Sequence, residues 1–503
     1  MARARMAIDP AFEVGEVDRR LFGSFVEHLG RCVYDGIYEP GHPHADADGF
    51  RADVLDLVRE LGVSTIRYPG GNFVSGYRWE DGVGPRDQRP TRLDLAWHST
   101  ETNEVGLHEF AAWAKQAGVE PMLAINLGTR GVLEALDLLE YSNVSSGSAL
   151  ADQRIANGAT DPFKITMWCL GNEMDGPWQL GHRSADDYGK LASQTAKAMR
   201  QLDPSVELVA CGSSSRAMPT FGSWEHTVLR HTYDDVDFIS CHAYYEEGAD
   251  DLDSFLASGV DMDRFIESVI AVADGVGAEL KNDKKINISF DEWNVWYLRR
   301  DAEKNAIRGI DNWPKAPRIL EDVYNVTDAV VVGNLLISLL NHADRVKAAS
   351  LAQLVNVIAP IMTEPGGDVW RQTTFFPFAE TARRATGSAL RVRIDSDTHQ
   401  TAKYGAVNSI DAAATHDQDT GSTSVFLVNR DHEGPSTVEI DLAGRSGVSV
   451  QDARVLADSD RLAANTKDDQ ERVGLRELTS YKINNGTLSV ELPPLSWATL
   501  TLA

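Results

Sequence analysis

Short runs of apolar and β-branched residues recur along most of the chain, and each is followed by a polar loop. Such runs are typical of strands that are buried on both faces of a parallel sheet. We therefore predict eight buried strands, at residues 21–27, 63–70, 120–128, 165–173, 206–213, 236–244, 286–294 and 347–356.

Stretches with the periodicity of amphipathic helices lie between these strands, the clearest at residues 48–62, 106–118, 184–202 and 263–277. Strands that alternate with helices imply a parallel sheet, and eight such units are the number that closes a (β/α)8 TIM barrel. The alternative is an open, doubly wound sheet. Its dinucleotide-binding form requires a G-x-G-x-x-G after the first strand, and the sequence has none there.

The pattern changes near residue 385 to short alternating runs that are broken by turn signals such as Asn485-Gly486. Alternation with period two is typical of antiparallel strands, and Asn-Gly is a strong hairpin signal. We predict a barrel domain over residues 17–384, followed by an antiparallel, jelly-roll-like β-sandwich over residues 385–503. We also assign residues 1–16 to the sandwich, because they precede the first barrel strand without a following helix.

The composition excludes several kinds of partner. The 503 residues include 75 acidic and 48 basic side chains, which gives a formal net charge of −27 and disfavours nucleic acid and anionic membranes. We find no secretory signal and no uncharged membrane-spanning run, so we expect a cytoplasmic protein. The cysteines form no CxxC pair, which argues against a zinc ribbon or a redox motif.

The predicted strand ends are rich in acids, amides and aromatic residues. In a TIM barrel the carboxyl ends of all strands meet on one face. Glu173 ends the fourth predicted strand and Glu292 lies at the end of the seventh. Two carboxylates that face each other across a cleft can perform glycoside hydrolysis. Amides and aromatic rings bind sugar hydroxyls and C–H surfaces. Further side chains at these ends are Glu27, His28, Asn72, Asn126, Asn172, His242, Tyr244, Trp293, Asn294, Gln353 and Asn356.

Structural explanations compete with these functional ones. The two glutamates would also suit a salt bridge to Arg67 or another neighbour, and a single histidine such as His242 is more often part of a core than of a site. The histidines at residues 41–46 lack the spacing of metal ligands. Gly70-Gly71 lacks the lysine of a phosphate-binding loop, so we interpret it as a tight passage of backbone beside a ligand.

Four motifs in order along the chain resemble the α-L-arabinofuranosidases of glycoside hydrolase family 51: GSFVEHLGR, RYPGGNFVSGYRWEDGVGP, GNEMDGPWQLGH and SFDEWNVWY. The resemblance extends from about Leu21 to the closing PLSWATLTL. It implies a retaining enzyme of the large clan that has its catalytic glutamates on barrel strands four and seven. It also implies that no metal or organic cofactor is needed, and that the protein is a homo-oligomer, often a hexamer.

The same resemblance implies roles for nine residues. Glu173 would be the general acid/base and Glu292 the nucleophile. Tyr244 would steer that nucleophile, and His242 would accompany it on strand six. The remaining substrate-binding residues are Asn172 for the 2-hydroxyl, Glu27, Asn72 and Gln353 for other hydroxyls, and Trp296 as a wall of the subsite.

The expected substrates are arabinofuranose-containing oligosaccharides from arabinan or arabinoxylan, with terminal non-reducing α-L-arabinofuranosyl groups removed by double displacement. Two alternatives remain open. An endo-glucanase or β-xylosidase of the same clan would share both acids in a longer cleft. A carbohydrate-binding protein without activity would keep the pocket.

Overall fold

The computed structural model describes residues 2–298, 307–445 and 447–503. The strands, in chain order, are β1 (Ala2–Ala7), β2 (Glu13–Glu16), β3 (Gly23–Phe25), β4 (Thr65–Tyr68), β5 (Arg92–Asp94), β6 (Ser99–Glu101), β7 (Glu120–Ala124), β8 (Met167–Cys169), β9 (Glu207–Ala210), β10 (Phe238–Tyr245), β11 (Asn287–Val295), β12 (Val346–Leu351), β13 (Ile361–Thr363), β14 (Val369–Arg371), β15 (Ser388–Leu390), β16 (Arg393–Ser396), β17 (Thr398–Thr401), β18 (Gly405–Asn408), β19 (Ile410–His416), β20 (Thr423–Asn429), β21 (Ser436–Asp441), β22 (Val450–Leu456), β23 (Arg476–Glu477), β24 (Tyr481–Asn484), β25 (Thr487–Leu492) and β26 (Ser496–Leu502).

The α-helices are α1 (Ala52–Leu61), α2 (Leu107–Ala117), α3 (Val132–Asn143), α4 (Ala149–Ala156), α5 (Ala185–Leu202), α6 (Ser223–Thr232), α7 (Leu252–Leu256), α8 (Ser258–Leu280), α9 (Val326–Asn341) and α10 (Phe375–Arg384). Short 3-10 helices lie at Arg19–Phe22, Asn72–Gly76, Trp79–Gly82 and Arg86–Gln88.

Eight parallel strands close into a barrel in the order β3, β4, β7, β8, β9, β10, β11, β12, and β12 pairs back with β3. Each overlaps one of the predicted strands, so the TIM barrel is confirmed and the open doubly wound sheet is wrong. Side chains of β7 and β8 alternate between the two faces. Met122, Ala124 and Met167 form a small apolar cluster, whereas Leu123 and Trp168 pack in the larger surrounding core. The barrel is therefore a packed core rather than a pore.

The four predicted helices are present, and their ends follow known capping rules. The Ser184 side chain accepts a hydrogen bond from the Asp187 N–H at the start of α5. Helices α1 and α2 end at Gly62 and Gly118, whose φ angles of 77° and 75° lie in the left-handed region that favours glycine. Among the described residues, no helix is both long and apolar enough to cross a lipid bilayer.

Helix α9 is buried along nearly its whole length, between the barrel and the β-sandwich. Its apolar residues therefore surround the axis instead of forming one stripe. For that reason this helix was not predicted from the periodicity of the sequence. Asn325 and Asp328 form a capping box at its start, where each side chain accepts from the other residue's N–H.

Most of the C-terminal strands lie in two sheets that each include a strand from the N-terminus, while β17 and β18 form a separate two-stranded sheet. The order β16-β1-β21-β25-β24 gives a five-stranded sheet, and β2-β15-β19-β20-β26-β22-β23 gives a seven-stranded one. Most pairs are antiparallel, as predicted for the sandwich, but β1 and β21 are parallel. The turn between β24 and β25 has positive φ at Asn485 and Gly486, which confirms the predicted hairpin. We propose the division into residues 17–384 and residues 1–16 with 385–503 on this pairing.

Candidate active site

A cavity of about 690 Å³ opens at the carboxyl ends of the barrel strands. Seven of the nine residues singled out from the sequence line it: Glu27, Asn72, Glu173, Tyr244, Glu292, Trp296 and Gln353. The other two, Asn172 and His242, are buried directly behind it and bond to its acids and amides. One detail of the prediction is wrong. Glu292 does not end its strand, because β11 continues to Val295 after an irregularity in its pairing with β12.

Two donors fix the carboxylate of Glu292. Arg67 Nη1 donates to Oε1 and the Tyr244 hydroxyl donates to Oε2, both at 2.7 Å. Burial raises the pKa of Glu292, whereas the positive charges of His242 and Arg67 oppose that rise. The Tyr244 hydroxyl remains a donor, because burial and the charge of Glu292 raise the pKa of Tyr244 well above its usual value.

Glu173 lies in the loop after β8 with a φ of 42°, which is uncommon for a residue with a side chain. Backbone strain of this kind concentrates at functional sites. Its Oε1 lies 2.9 Å from Nδ1 of His242, and its Oε2 accepts from Trp178 Nε1 at 2.5 Å. Only 9% of the residue is exposed, so the carboxyl group is presented to the cavity in a defined orientation.

His242 connects the acids behind the cavity. Its Nδ1 lies 2.9 Å from Glu173 and 3.6 Å from Glu292, and its Nε2 lies 2.9 Å from Oδ1 of Asp291. Burial alone would lower the pKa of His242, but Glu292, Asp291 and Glu173 together raise it well above its usual value. The ring is therefore a donor that aligns the acids, and the role of His242 in substrate binding stays a prediction.

Asn172 belongs to an amide network beneath Asn72. Its Oδ1 accepts from Arg67 Nη2 at 2.7 Å, and its Nδ2 lies 3.3 Å from both Asn72 Oδ1 and Gln179 Oε1. Gln179 was missed in the sequence, although it falls inside the GNEMDGPWQLGH motif. Arg67 thus orients both Asn172 and Glu292.

Glu27 receives three hydrogen bonds within the barrel mouth. The Phe73 N–H and Trp97 Nε1 donate to Oε1 at 2.9 Å, and Gln353 Nε2 donates to Oε2 at 3.0 Å. Burial, with a smaller contribution from the charge of Glu292, raises the pKa of Glu27 to about 8. The backbone of Gly70 passes so close that a Cβ there would lie 2.5 Å from Glu27 Cγ.

The remaining wall is aromatic and apolar. Trp296 packs edge-on against Tyr244, with ring centroids 5.0 Å apart. Trp97 and His98, which the sequence did not single out, line the cavity from a hairpin that follows β4. Three strand-end amides serve the fold instead, since they bond to nearby loops: Asn126, Asn294 and Asn356.

Glu173, His242 and Glu292 are also the described residues that come closest to a metal site. One potential ligand atom of each lies within 4.8 Å of the other two. Both ring nitrogens of His242 already face carboxylate oxygens at 2.9 Å. Catalysis without a metal or cofactor stays a prediction from the sequence.

A closed TIM barrel with two glutamates in one pocket, each oriented by buried donors, defines a glycoside hydrolase. Residues 57–250 match the family model described as alpha-L-arabinofuranosidase 1 domain, and residues 291–496 match that of the alpha-L-arabinofuranosidase C-terminal domain. The chain belongs to the α-L-arabinofuranosidases of family 51.

Relatives cover the whole chain. An exo-α-(1→6)-L-arabinofuranosidase of Bifidobacterium longum is 60% identical over 506 residues, which cover 99% of this chain and 97% of the relative. An intracellular exo-α-(1→5)-L-arabinofuranosidase of Streptomyces lividans is 59% identical and covers 100% of this chain and 76% of the relative. The solved structure of a family 51 α-L-arabinofuranosidase from Bifidobacterium longum superposes with a TM-score of 0.95 at 51% identity, over 99% of each chain.

Proposed function

We propose that this protein is a retaining, exo-acting α-L-arabinofuranosidase. It removes terminal non-reducing α-L-arabinofuranosyl groups from oligosaccharides derived from arabinan or arabinoxylan. The observation that carries the proposal is the closeness of the acids. Oxygens of Glu173 and Glu292 lie within 4.8 Å of each other. Retaining enzymes hold their carboxyl groups about 5–5.5 Å apart, whereas inverting enzymes need about 6.5–9.5 Å to admit a water molecule.

In the first step a carboxylate oxygen of Glu292 attacks the anomeric carbon and the glycosidic C–O bond breaks. The proton of Glu173 passes to the leaving oxygen, so that the aglycone departs as an alcohol. Arg67 and Tyr244 support this role of Glu292, because two fixed donors hold the carboxylate in one orientation.

In the second step Glu173 has lost its proton and acts as a base. It takes a proton from a water molecule whose oxygen attacks the anomeric carbon, and the bond to Glu292 breaks. Two displacements at the same carbon return arabinose with its original α configuration. His242 supports both steps, because it lies within 3.6 Å of each glutamate.

The sugar itself is held by the remaining polar groups of the cavity. Glu27, Asn72 and Gln353 are proposed to bind ring hydroxyls, and Trp296 to cover a C–H face. Asn172 lies behind Asn72, so we propose that it binds the sugar's 2-hydroxyl past the side of the Asn72 amide. Relatives whose names specify exo action on α-(1→5) and α-(1→6) linkages support removal of terminal units.

The test is hydrolysis of three aryl glycosides under one set of conditions. We expect nitrophenol release from the α-L-arabinofuranoside, and at least 100-fold less from the β-D-xyloside and β-D-glucoside. Preferential cleavage of either of the latter would favour another glycosidase of the clan. Release from none of the three would favour a carbohydrate-binding protein without activity, and Glu292→Gln provides the background rate.

We further propose a cytoplasmic location and a homo-oligomer, a hexamer by family resemblance. The name of the Streptomyces lividans relative, which specifies an intracellular enzyme, supports the location. Cell fractionation tests the location, and light scattering of the purified chain tests the oligomer. A monomer mass near 55.2 kDa in solution would contradict the oligomer.

A further inference from the structure

A hairpin in the loop after β4 brings two aromatic side chains to the cavity. Strands β5 and β6 pair antiparallel, and Trp97 and His98 at the tip line the cavity wall. Asp94 shapes this tip, because its carboxylate accepts from the N–H groups of Ala96 and Trp97 at 3.1 and 2.9 Å. The position of Trp97 therefore depends on how the hairpin is held.

Trp97 contributes directly to the surroundings of Glu27. Its Nε1 donates to Glu27 Oε1 at 2.9 Å, across 70 positions of sequence. The other donor to that oxygen is the Phe73 N–H. An indole displaced by one ångström would leave the buried Oε1 of Glu27 with one donor fewer, and a buried acceptor that loses a donor is destabilised.

Glu101 fixes the opposite end of the hairpin. It ends β6, is 5% exposed, and its Oε2 lies 2.7 Å from His28 Nδ1. Its Oε1 accepts from the Asn103 N–H at 2.6 Å and from the Tyr34 hydroxyl. Burial raises the pKa of Glu101, yet His28, Tyr34 and Asn103 together hold it below its usual value. An ionised carboxylate thus occupies the base of the hairpin.

His28 connects that base to Phe73, one of the donors of Glu27. It follows Glu27 directly in the chain, and its Nε2 lies 2.9 Å from the Tyr68 hydroxyl. Its ring stacks on Phe73 with centroids 4.8 Å apart and planes inclined by 20°. Glu101 thus contacts His28, the residue next to Glu27. His28 in turn contacts the ring of Phe73, whose N–H donates to Glu27.

We propose that Glu101 is a positioning residue for substrate binding: through its bonds to His28 and Asn103 it holds the hairpin so that Trp97 donates to Glu27. This rests on the proposed function, which assigns Glu27 to the sugar hydroxyls. A contribution to stability alone is the competing explanation. A buried carboxylate often adds little net stability relative to an apolar replacement, so stability is a weak reason for its presence here.

The kinetic test compares Glu101→Gln, Trp97→Phe and the double variant on the aryl arabinofuranoside. Each single variant should raise KM about tenfold, as expected when a buried acceptor loses one donor, with kcat changed much less. The double variant should resemble Trp97→Phe alone, because both changes remove the same contact. If KM of the double variant instead rose by the product of the two single-variant increases, the proposal would be overturned.

The matched control is Arg92→Gln, on the same hairpin. Arg92 pairs with Asp81 at 2.8 Å, but its side chain is 49% exposed, so its loss should change KM less than about twofold. A comparable rise in KM for Arg92→Gln would mean that any damage to the hairpin has this effect, which would also overturn the proposal.

A second readout is independent of catalysis. With 5-fluorotryptophan in the chain, the ¹⁹F resonance of Trp97 is the one missing from Trp97→Phe. It should shift in Glu101→Gln and stay in place in Arg92→Gln. If the resonance stayed in place in Glu101→Gln while the melting temperature fell, Glu101 would contribute to stability alone and the proposal would be overturned. If the wild type cleaves no arabinofuranoside, the proposed function fails, while the resonance still decides the positioning.

Discussion

Arg67 Nη1 donates a hydrogen bond to Oε1 of Glu292 at 2.7 Å, and both side chains are buried. A salt bridge to Arg67 was the structural explanation that the sequence offered for a glutamate at this place. The ion pair exists, but it does not replace the functional explanation. It fixes the carboxylate beside Tyr244 and favours its ionised form, which a nucleophile requires.

Tyr244→Phe removes the second donor to Glu292 without changing the shape of the ring. A hydrogen bond to a charged group contributes about 1.5–3 kcal/mol, so kcat/KM for an aryl arabinofuranoside should fall about 10- to 100-fold. Tyr245→Phe is the control, because the neighbouring hydroxyl lies 3.5 Å from Asp261 instead. Equal losses in the two variants would show that Tyr244 does not act through Glu292.

The N-terminal segment should stabilise the β-sandwich. Met6 is 3% exposed and packs in the apolar core of the C-terminal sheets. Met6→Ala should lower the free energy of unfolding by about 2–5 kcal/mol, as truncation of a buried side chain does. Arg5→Ala, on the exposed face of the same strand, should change it by less than about 0.5 kcal/mol. Calorimetry measures both, and similar values would contradict the assignment of this segment to the sandwich.

Asp328 should make the protein less stable as the pH rises. Burial raises its folded-state pKa to about 7 from 3.8. The folded chain therefore holds a proton that the unfolded chain has lost, and this stabilisation is complete below pH 3.8 and is lost as the pH rises to about 7. Asp328→Asn should flatten the fall in melting temperature across this window. The exposed variant Asp56→Asn should retain the full slope, and an unaltered slope in Asp328→Asn would contradict the assignment.

Exo action predicts slow loss of polymer length. When the protein degrades linear arabinan, viscosity should fall little while arabinose accumulates, because each event removes one terminal unit. Viscosity and released arabinose are measured in the same samples. A rapid early fall in viscosity would indicate cleavage within the chain, and the endo-acting alternative would then be favoured.

The barrel could be predicted from the sequence because its signals are local. Each buried strand lies in a short run rich in apolar and β-branched residues, and strand ends in a barrel converge whatever the loops do. Glu173 and Glu292 were found in this way. Helix α9 was missed, because its apolar residues surround the axis and give no 3.6-residue stripe.

The partners of Glu27 could not be predicted, because they depend on distant contacts. Trp97 reaches it from a hairpin inside the long loop between β4 and α2, and Gln353 reaches it from the end of β12, 326 positions away in the sequence. Polar loops of this length have no periodicity from which their path can be read. Trp97 does stand out as an aromatic residue within a polar segment. That alone does not show which residue it contacts.

The central claim is that Glu292 is the nucleophile and Glu173 the acid/base. Removing Glu173 abolishes only proton transfer, which typically contributes about 10²- to 10⁴-fold to the rate. An activated aryl leaving group needs little protonation to depart. Glu173→Ala should therefore still form the glycosyl-enzyme from an aryl arabinofuranoside, with slow release afterwards. Glu292→Ala should lose activity on good and poor leaving groups alike, since no intermediate forms.

The anomeric configuration of the product formed with azide tests this assignment most directly, because azide needs no general base. In Glu173→Ala it attacks the glycosyl-enzyme from the side that the leaving group left, so NMR should show α-L-arabinofuranosyl azide. In Glu292→Ala it takes the place of the nucleophile, and the β-azide should form in one displacement. An α-azide from Glu292→Ala and a β-azide from Glu173→Ala would show that the two roles are reversed.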